Sequence, residues 1–249
     1  QEHKGRVAII TGGGRGFGKA FGHALAARGA HVVQVDIDAE VGEQAAAEIR
    51  RAGGSASAFA ADVNDEEQIA RLMTETVDNH GGVDILINNA GLANRAEALD
   101  HTDDLWDQTI EIDLTAPFIL SREIGKGMAK RGYGKIIFIA SMWTFLGGKN
   151  VISYTAAKTA LAGLTRGLSN ELLPMGITVN AIAPGFIETD ITQNIRKDTE
   201  RVNWITGRIP KGRWGQPSDL AGAALFLSAP ASDYVSGVVL AVDGGFLAN

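Results

Sequence analysis

Short apolar runs alternate along the chain with longer segments whose apolar residues recur at helical spacing. The runs at 7–10, 31–35, 56–60, 85–87, 135–140, 178–183 and 238–242 read as strands, and 17–28, 39–52, 66–80, 104–128, 153–173 and 218–227 read as helices. Several runs are continuously hydrophobic, as strands are when both faces of a parallel sheet are covered. Repeated strand–helix alternation with right-handed crossovers predicts an α/β fold, a Rossmann-type doubly wound parallel sheet of about seven strands with helices on both faces. No repeat or Pro/Ser-rich linker divides residues 1–249, so a single domain is expected. Residues 184–216 break the rhythm without a strand pattern, and 186–212 is read as a substrate lid beyond a strand's carboxyl end.

Composition narrows the chemistry. The chain has no cysteine, which removes thiolate nucleophiles, disulfides and cysteine-containing metal sites. Its five histidines all lie at or before His101, no G-x-S-x-G occurs, and no His or carboxylate cluster has metal-ligand spacing. A formal net charge of −6 with no basic block argues against a nucleic-acid partner. No apolar stretch approaches the roughly 20 residues needed to cross a bilayer, and the first six residues are polar, so a cytoplasmic protein is expected. The 31 glycines cluster after apolar runs, where backbone must turn or approach a ligand closely.

The first strand leads directly into Thr11-Gly12-Gly13-Gly14-Arg15-Gly16-Phe17-Gly18 and then a helix. Such a loop lets backbone N–H groups approach a pyrophosphate, with the helix N-terminus adding a favourable dipole. Gly12, Gly16 and Gly18 are assigned to that approach, and Gly13 and Gly14 to turn flexibility. Gly13 to Lys19 also fits G-x-x-x-x-G-K, but Ala20 stands where a triphosphatase needs Ser or Thr for Mg²⁺. Asp36 ends the second strand, where a carboxylate accepts from adenosine ribose hydroxyls and repels a 2′-phosphate. Ile37 and Asp38 follow, with no second basic residue, so NAD(H) is favoured; Arg15 is the counter-indication that keeps NADP(H) open.

Tyr154 and Lys158 lie one helical turn apart and share a face. An ammonium beside a phenol favours the phenolate and so is expected to lower the tyrosine pKa from near 10, suiting it to general acid/base work. Ser141, thirteen residues upstream and just past a strand, is placed to orient a carbonyl or alcohol oxygen.

Together with Asn88-Asn89-Ala90-Gly91, Tyr154-Thr155-Ala156-Ala157-Lys158 and Pro184-Gly185-Phe186-Ile187-Glu188-Thr189, these motifs occur in the order of the short-chain dehydrogenases/reductases. The chain resembles that family over essentially its whole length. The resemblance implies that Tyr154 exchanges the proton, Lys158 also binds the nicotinamide ribose and Ser141 holds the substrate oxygen. It further implies that Asp62 and Val63 flank the adenine, that Asn89, Ala90 and Gly91 line the cofactor, and that Pro184, Gly185, Ile187 and Thr189 lie towards the nicotinamide. Asp113 stands where the family has a catalytic asparagine that supports a proton-carrying water chain, and an aspartate there adds a charge near Lys158. A homotetramer packed through 104–128 and 153–173 is also implied.

For the substrate, Arg95, Trp143, Lys149 and Asn150 sit in the segments expected to form the pocket, with the cations suited to a carboxylate and the indole to a sugar ring. Arg208-Ile209-Pro210-Lys211-Gly212-Arg213-Trp214-Gly215 and Val242-Asp243-Gly244-Gly245 are similar to gluconate 5-dehydrogenases and 2-deoxygluconate 3-dehydrogenases. A sugar, sugar acid or polyol substrate is therefore expected. The competing readings are a ketoreductase resembling 3-oxoacyl carrier-protein reductases and a dinucleotide sensor without activity.

Overall fold

A computed structural model describes residues 2–249. Seven strands form one sheet: β1 (Val7–Thr11), β2 (His31–Asp36), β3 (Ser55–Ala60), β4 (Ile85–Asn88), β5 (Gly134–Ile139), β6 (Ile177–Pro184) and β7 (Val239–Val242). They lie in the order β3-β2-β1-β4-β5-β6-β7, every neighbouring pair parallel. The chain reverses its direction of travel across the sheet between β1 and β4, the switch point beside which open α/β sheets bind ligands.

The helices are α1 (Gly16–Ala27), α2 (Ala39–Arg51), α3 (Glu66–His80), α4 (Asp103–Ile110), α5 (Ala116–Arg131), α6 (Ile152–Leu172), α7 (Gln193–Arg196), α8 (Thr199–Gly207) and α9 (Pro217–Ser228). Strand alternation divides the core. Val7 and Ile9 of β1 pack with Leu72 of α3, Leu120 and Ile124 of α5 and Leu161 of α6. Ala8 and Ile10 pack on the other face with Phe21 and Leu25 of α1, Ile49 of α2 and Leu220 of α9. Both faces are therefore covered, which is why β1, β4, β5 and β6 are buried at every position and read largely as apolar runs.

Two segments differ from the pattern-based expectation. The predicted helix over 104–128 is divided by a π-helical turn, Glu111–Thr115, between α4 and α5. Pro117 has no N–H to return to the carbonyl of Asp113, four residues back, and its ring crowds that carbonyl. The backbone adopts the wider turn instead, with the Ala116 N–H donating to the Glu111 carbonyl. The 184–216 stretch is not irregular: it carries α7 and α8. Asp198 caps α8 by accepting from the Arg201 N–H at 3.0 Å. Ile195, Ile205, Ile209 and Trp214 bury themselves there against Met142 and Phe246, forming a third apolar cluster. No helix among the described residues is long and apolar enough to cross a membrane.

Candidate active site

A cavity of about 760 Å³ opens at the carboxyl ends of the strands. The glycine loop forms one wall. Thr11 Oγ1 accepts from the Asn89 and Ala90 N–H groups, both at 3.0 Å. The Asn89 amide donates back to the carbonyls of Thr11 at 2.9 Å and Gly12 at 3.0 Å. These four bonds tie the β1 loop to the β4 loop at the switch point. Gly18 closes the turn against Gly12: a Cβ there would stand 2.2 Å from the Gly12 carbonyl oxygen. Gly14 is more than a flexible spacer, which corrects the expectation for it. A Cβ would press on Val41 at 2.5 Å and Asp36 Oδ2 at 2.8 Å, and its N–H donates to that same oxygen at 2.9 Å. A loop whose close approaches exclude side chains, with the Asp36 carboxylate fixed beside it, fits a dinucleotide whose pyrophosphate meets backbone and whose ribose meets a carboxylate.

The catalytic candidates converge on the opposite wall. Ser141 and Tyr154 line the cavity together with Lys158. The Ser141 hydroxyl accepts from the Trp143 N–H at 3.3 Å, and Lys158 Nζ lies 5.4 Å from the centre of the Tyr154 ring. Lys158 Nζ donates to the Ile139 carbonyl at 2.9 Å and pairs with Asp113 Oδ1 at 3.2 Å. The same Asp113 oxygen accepts from the Leu92 N–H at 3.3 Å. The π turn thus carries a fully buried carboxylate up to Lys158, behind the cavity wall. Gly91 leaves the space, since a Cβ there would meet Asp113 Oδ1 at 2.4 Å.

Protonation follows from this packing. Burial pushes the Asp113 carboxyl above the usual carboxylate range, against the pull of Lys158. Burial acts to lower Lys158, but Asp113 and Tyr154 outweigh it and hold the ammonium above its ordinary value. Lys158 donates to both a carbonyl and a carboxylate, so it keeps its proton at neutral pH. For Tyr154 the expected lowering is overturned. Burial raises the phenol and Asp113 adds to the rise, while Lys158 and Ser141 pull downward without overcoming them. In the protein alone, then, Tyr154 is a proton donor.

Most of the residues singled out from sequence line this cavity. Gly12, Arg15, Gly16, Phe17, Asp36, Asn89, Ala90 and Gly91 do so on the loop side, and Pro184, Gly185, Ile187 and Thr189 on the β6 side. Gly18, Ile37, Asp62, Val63 and Asn150 are not among the lining residues. Asp62 receives the Asn64 N–H at 2.9 Å, and Ile37 is largely exposed. Asn150 has a left-handed backbone (φ 63°), and its carbonyl accepts from the Ala96 N–H at 3.1 Å. It ties the Arg95 loop to the Lys149 loop. Arg95, Trp143 and Lys149 do face the cavity.

Arg201, Trp204 and Phe246 line the cavity without having been singled out from sequence, and Arg208, named there only as part of the 208–215 run, lines it too. Arg208 stacks on Trp204 and on Phe246, with centroid distances of 5.3 and 4.6 Å. The seven-residue spacing of Arg201 and Arg208, two helical turns on one face, was the available clue.

With side chains excluded from its glycine loop, Asp36 fixed beside that loop, and Ser141, Tyr154 and Lys158 on the same cavity, the molecule fits the class of dinucleotide-dependent alcohol–ketone oxidoreductases. Residues 12–247 match the family model described as enoyl-(acyl carrier protein) reductase. The chain is 45% identical over 245 residues to the 2-dehydro-3-deoxy-D-gluconate 5-dehydrogenase of Pseudoalteromonas atlantica, covering 98% of this chain and 96% of that one. It is 37% identical over 243 residues to the 5-keto-D-gluconate 5-reductase of Escherichia coli, covering 98% and 96%. Among solved structures, a gluconate 5-dehydrogenase from Burkholderia cenocepacia in complex with NADP and tartrate superposes with a TM-score of 0.95 at 36% identity, covering 99% of this chain and 96% of that one. The chain belongs to the short-chain dehydrogenase/reductase family.

Proposed function

We propose that this enzyme interconverts a secondary hydroxyl and a ketone on a sugar acid, with NAD(H) as the preferred dinucleotide. The observation that carries the substrate class is Arg95. Its guanidinium faces the cavity that holds Tyr154 and has no acidic partner among the described residues. Partial burial and the nearby Arg201 lower its pKa from the ordinary value, so an incoming carboxylate relieves both costs. Lys149, Arg201 and Arg208 line the same space, and Trp143 offers a flat apolar face for the carbon skeleton. The relatives named above act on gluconate-type acids.

A nicotinamide dinucleotide held by the glycine loop, Asp36 and the Pro184–Thr189 segment would supply or accept the hydride in this cavity. In the reducing direction Tyr154 delivers its proton to the carbonyl oxygen that Ser141 holds, leaving a phenolate beside the Lys158 ammonium. In the oxidising direction that phenolate takes the hydroxyl proton back. The preference for NAD(H) is supported by Asp36, whose carboxylate lines the cavity and retains lone pairs beyond those used by Gly14 and Asp38. Residues 186–212, with α7 and α8, act as the lid over the substrate. Exposed Trp106 on α4 and Phe118 on α5 support burial of these helices in a homotetramer.

The test is a panel of sugar acids and their matched uncharged polyols, followed by nicotinamide absorbance with each dinucleotide. Sugar acids are expected to turn over faster, and Arg95→Ala is expected to raise their KM by about 10–100-fold while sparing the polyols. Equal use of acids and polyols by the parent protein contradicts the substrate class.

A further inference from the structure

We infer that Asp38 is a specificity-determining residue that acts through Arg15: it draws the guanidinium away from the position in which it would hold a 2′-phosphate. The inference rests on the dinucleotide reading of the cavity. Arg15 is the basic residue of the glycine loop and lines the cavity at the end where Asp36 stands. Its Nη2 lies 3.4 Å from Asp38 Oδ2. The next cation along the chain, Lys19 of α1, does not line the cavity and is paired with Glu48 at 2.6 Å. No lysine or arginine occurs between Asp36 and Arg50.

Asp38 is held in place by contacts independent of Arg15. Its Oδ1 caps α2, accepting from the Glu40 N–H at 3.1 Å and the Val41 N–H at 3.2 Å. Its own N–H donates to Asp36 Oδ1 at 3.1 Å. The cap fixes the carboxylate so that Oδ2 is left for the arginine. The turn 36–38 therefore does two things at once: it presents Asp36 to a ribose and occupies the one arginine that favours a phosphate there. A 2′-phosphate has to break the Arg15–Asp38 pair and also approach two carboxylates, whereas a 2′-hydroxyl meets neither cost.

The test uses the protein without dinucleotide and measures calorimetric affinities for 2′,5′-ADP and 5′-AMP. Asp38→Asn keeps a capping oxygen, because asparagine caps helices as well as aspartate does, and removes the charge. It is expected to tighten 2′,5′-ADP about fivefold, the scale of one exposed ion pair, with 5′-AMP affinity unchanged and the melting temperature retained. In an Arg15→Ala background the same substitution is expected to lose that gain. An unchanged 2′,5′-ADP to 5′-AMP ratio in Asp38→Asn overturns the inference. So does a gain that persists undiminished without Arg15, which assigns the effect to direct repulsion. Failure of 5′-AMP and NAD⁺ to bind the parent overturns the underlying dinucleotide reading instead.

Discussion

Asp113, which the resemblance places where the family has an asparagine, sets a carboxylate against Lys158. Its fully buried carboxylate sits 3.2 Å from Lys158 and contributes to raising both the lysine and Tyr154. Removing the charge in Asp113→Asn lowers the tyrosine pKa, because one of the causes that raise it is gone. Oxidation of the alcohol needs the phenolate, so the ascending limb of its kcat–pH profile is expected to move to lower pH in Asp113→Asn. Superimposable profiles would remove the charge from the mechanism. The Tyr-x-x-x-Lys spacing was legible in sequence because helical periodicity alone puts the two side chains on one face. The direction of the tyrosine shift was not, since burial is a property of the assembled cavity and it outweighs the lysine.

At the scale of elements, the inner strands could be read from apolar runs because the sheet is covered on both faces there. The partly exposed edge strands β3 and β7 were legible only as short β-rich runs. The division of the 104–128 helix was harder to see: its apolar periodicity continues through the break, and only Pro117 marks the point where an i→i−4 bond is lost. Short α7 and α8 went unread because neither is long enough to show a stripe, and their apolar residues are buried by the distant Met142 and Phe246. The glycine loop, by contrast, was legible as a motif but not as packing. In Gly18→Ala the new Cβ meets the Gly12 carbonyl, which belongs to backbone and cannot swing aside. Overpacking of this kind costs about 1–3 kcal/mol. Gly18→Ala is therefore expected to lower the melting temperature by several degrees, at roughly 2–4 °C per kcal/mol, and to weaken NAD⁺ binding. Parental values of both would show that the loop does not depend on this contact.

For the whole molecule, the sheet has a functional end and a structural end. The cavity gathers at the strands' carboxyl ends, while the start of β2 carries a histidine whose titration belongs to stability. His31 hydrogen-bonds Ser55 Oγ at 2.7 Å and Ser57 Oγ at 3.1 Å on β3, and its ring stacks on His80 with centroids 3.9 Å apart. Burial, with a smaller contribution from His80, lowers its pKa from 6.5 to about 4. A histidine depressed in the fold binds fewer protons there than when unfolded, so its stabilisation is complete above the unfolded value of 6.5 and is lost as pH falls towards about 4. His31→Asn is expected to flatten the fall of melting temperature across that window. An equally steep fall in the variant would place the acid sensitivity elsewhere.

The proposed reaction depends on Tyr154 as the group that exchanges the substrate's proton at the carboxyl end of the sheet. The most direct measurement is the steady-state rate of nicotinamide oxidation with a keto sugar acid, for the parent and Tyr154→Phe, alongside each protein's affinity for NADH. Turnover by the parent is expected, with a loss in kcat of about 10²–10⁴-fold in Tyr154→Phe and NADH affinity largely retained. A parent inert towards every keto sugar acid, or a phenylalanine variant with the parental rate, would contradict the proposed reaction.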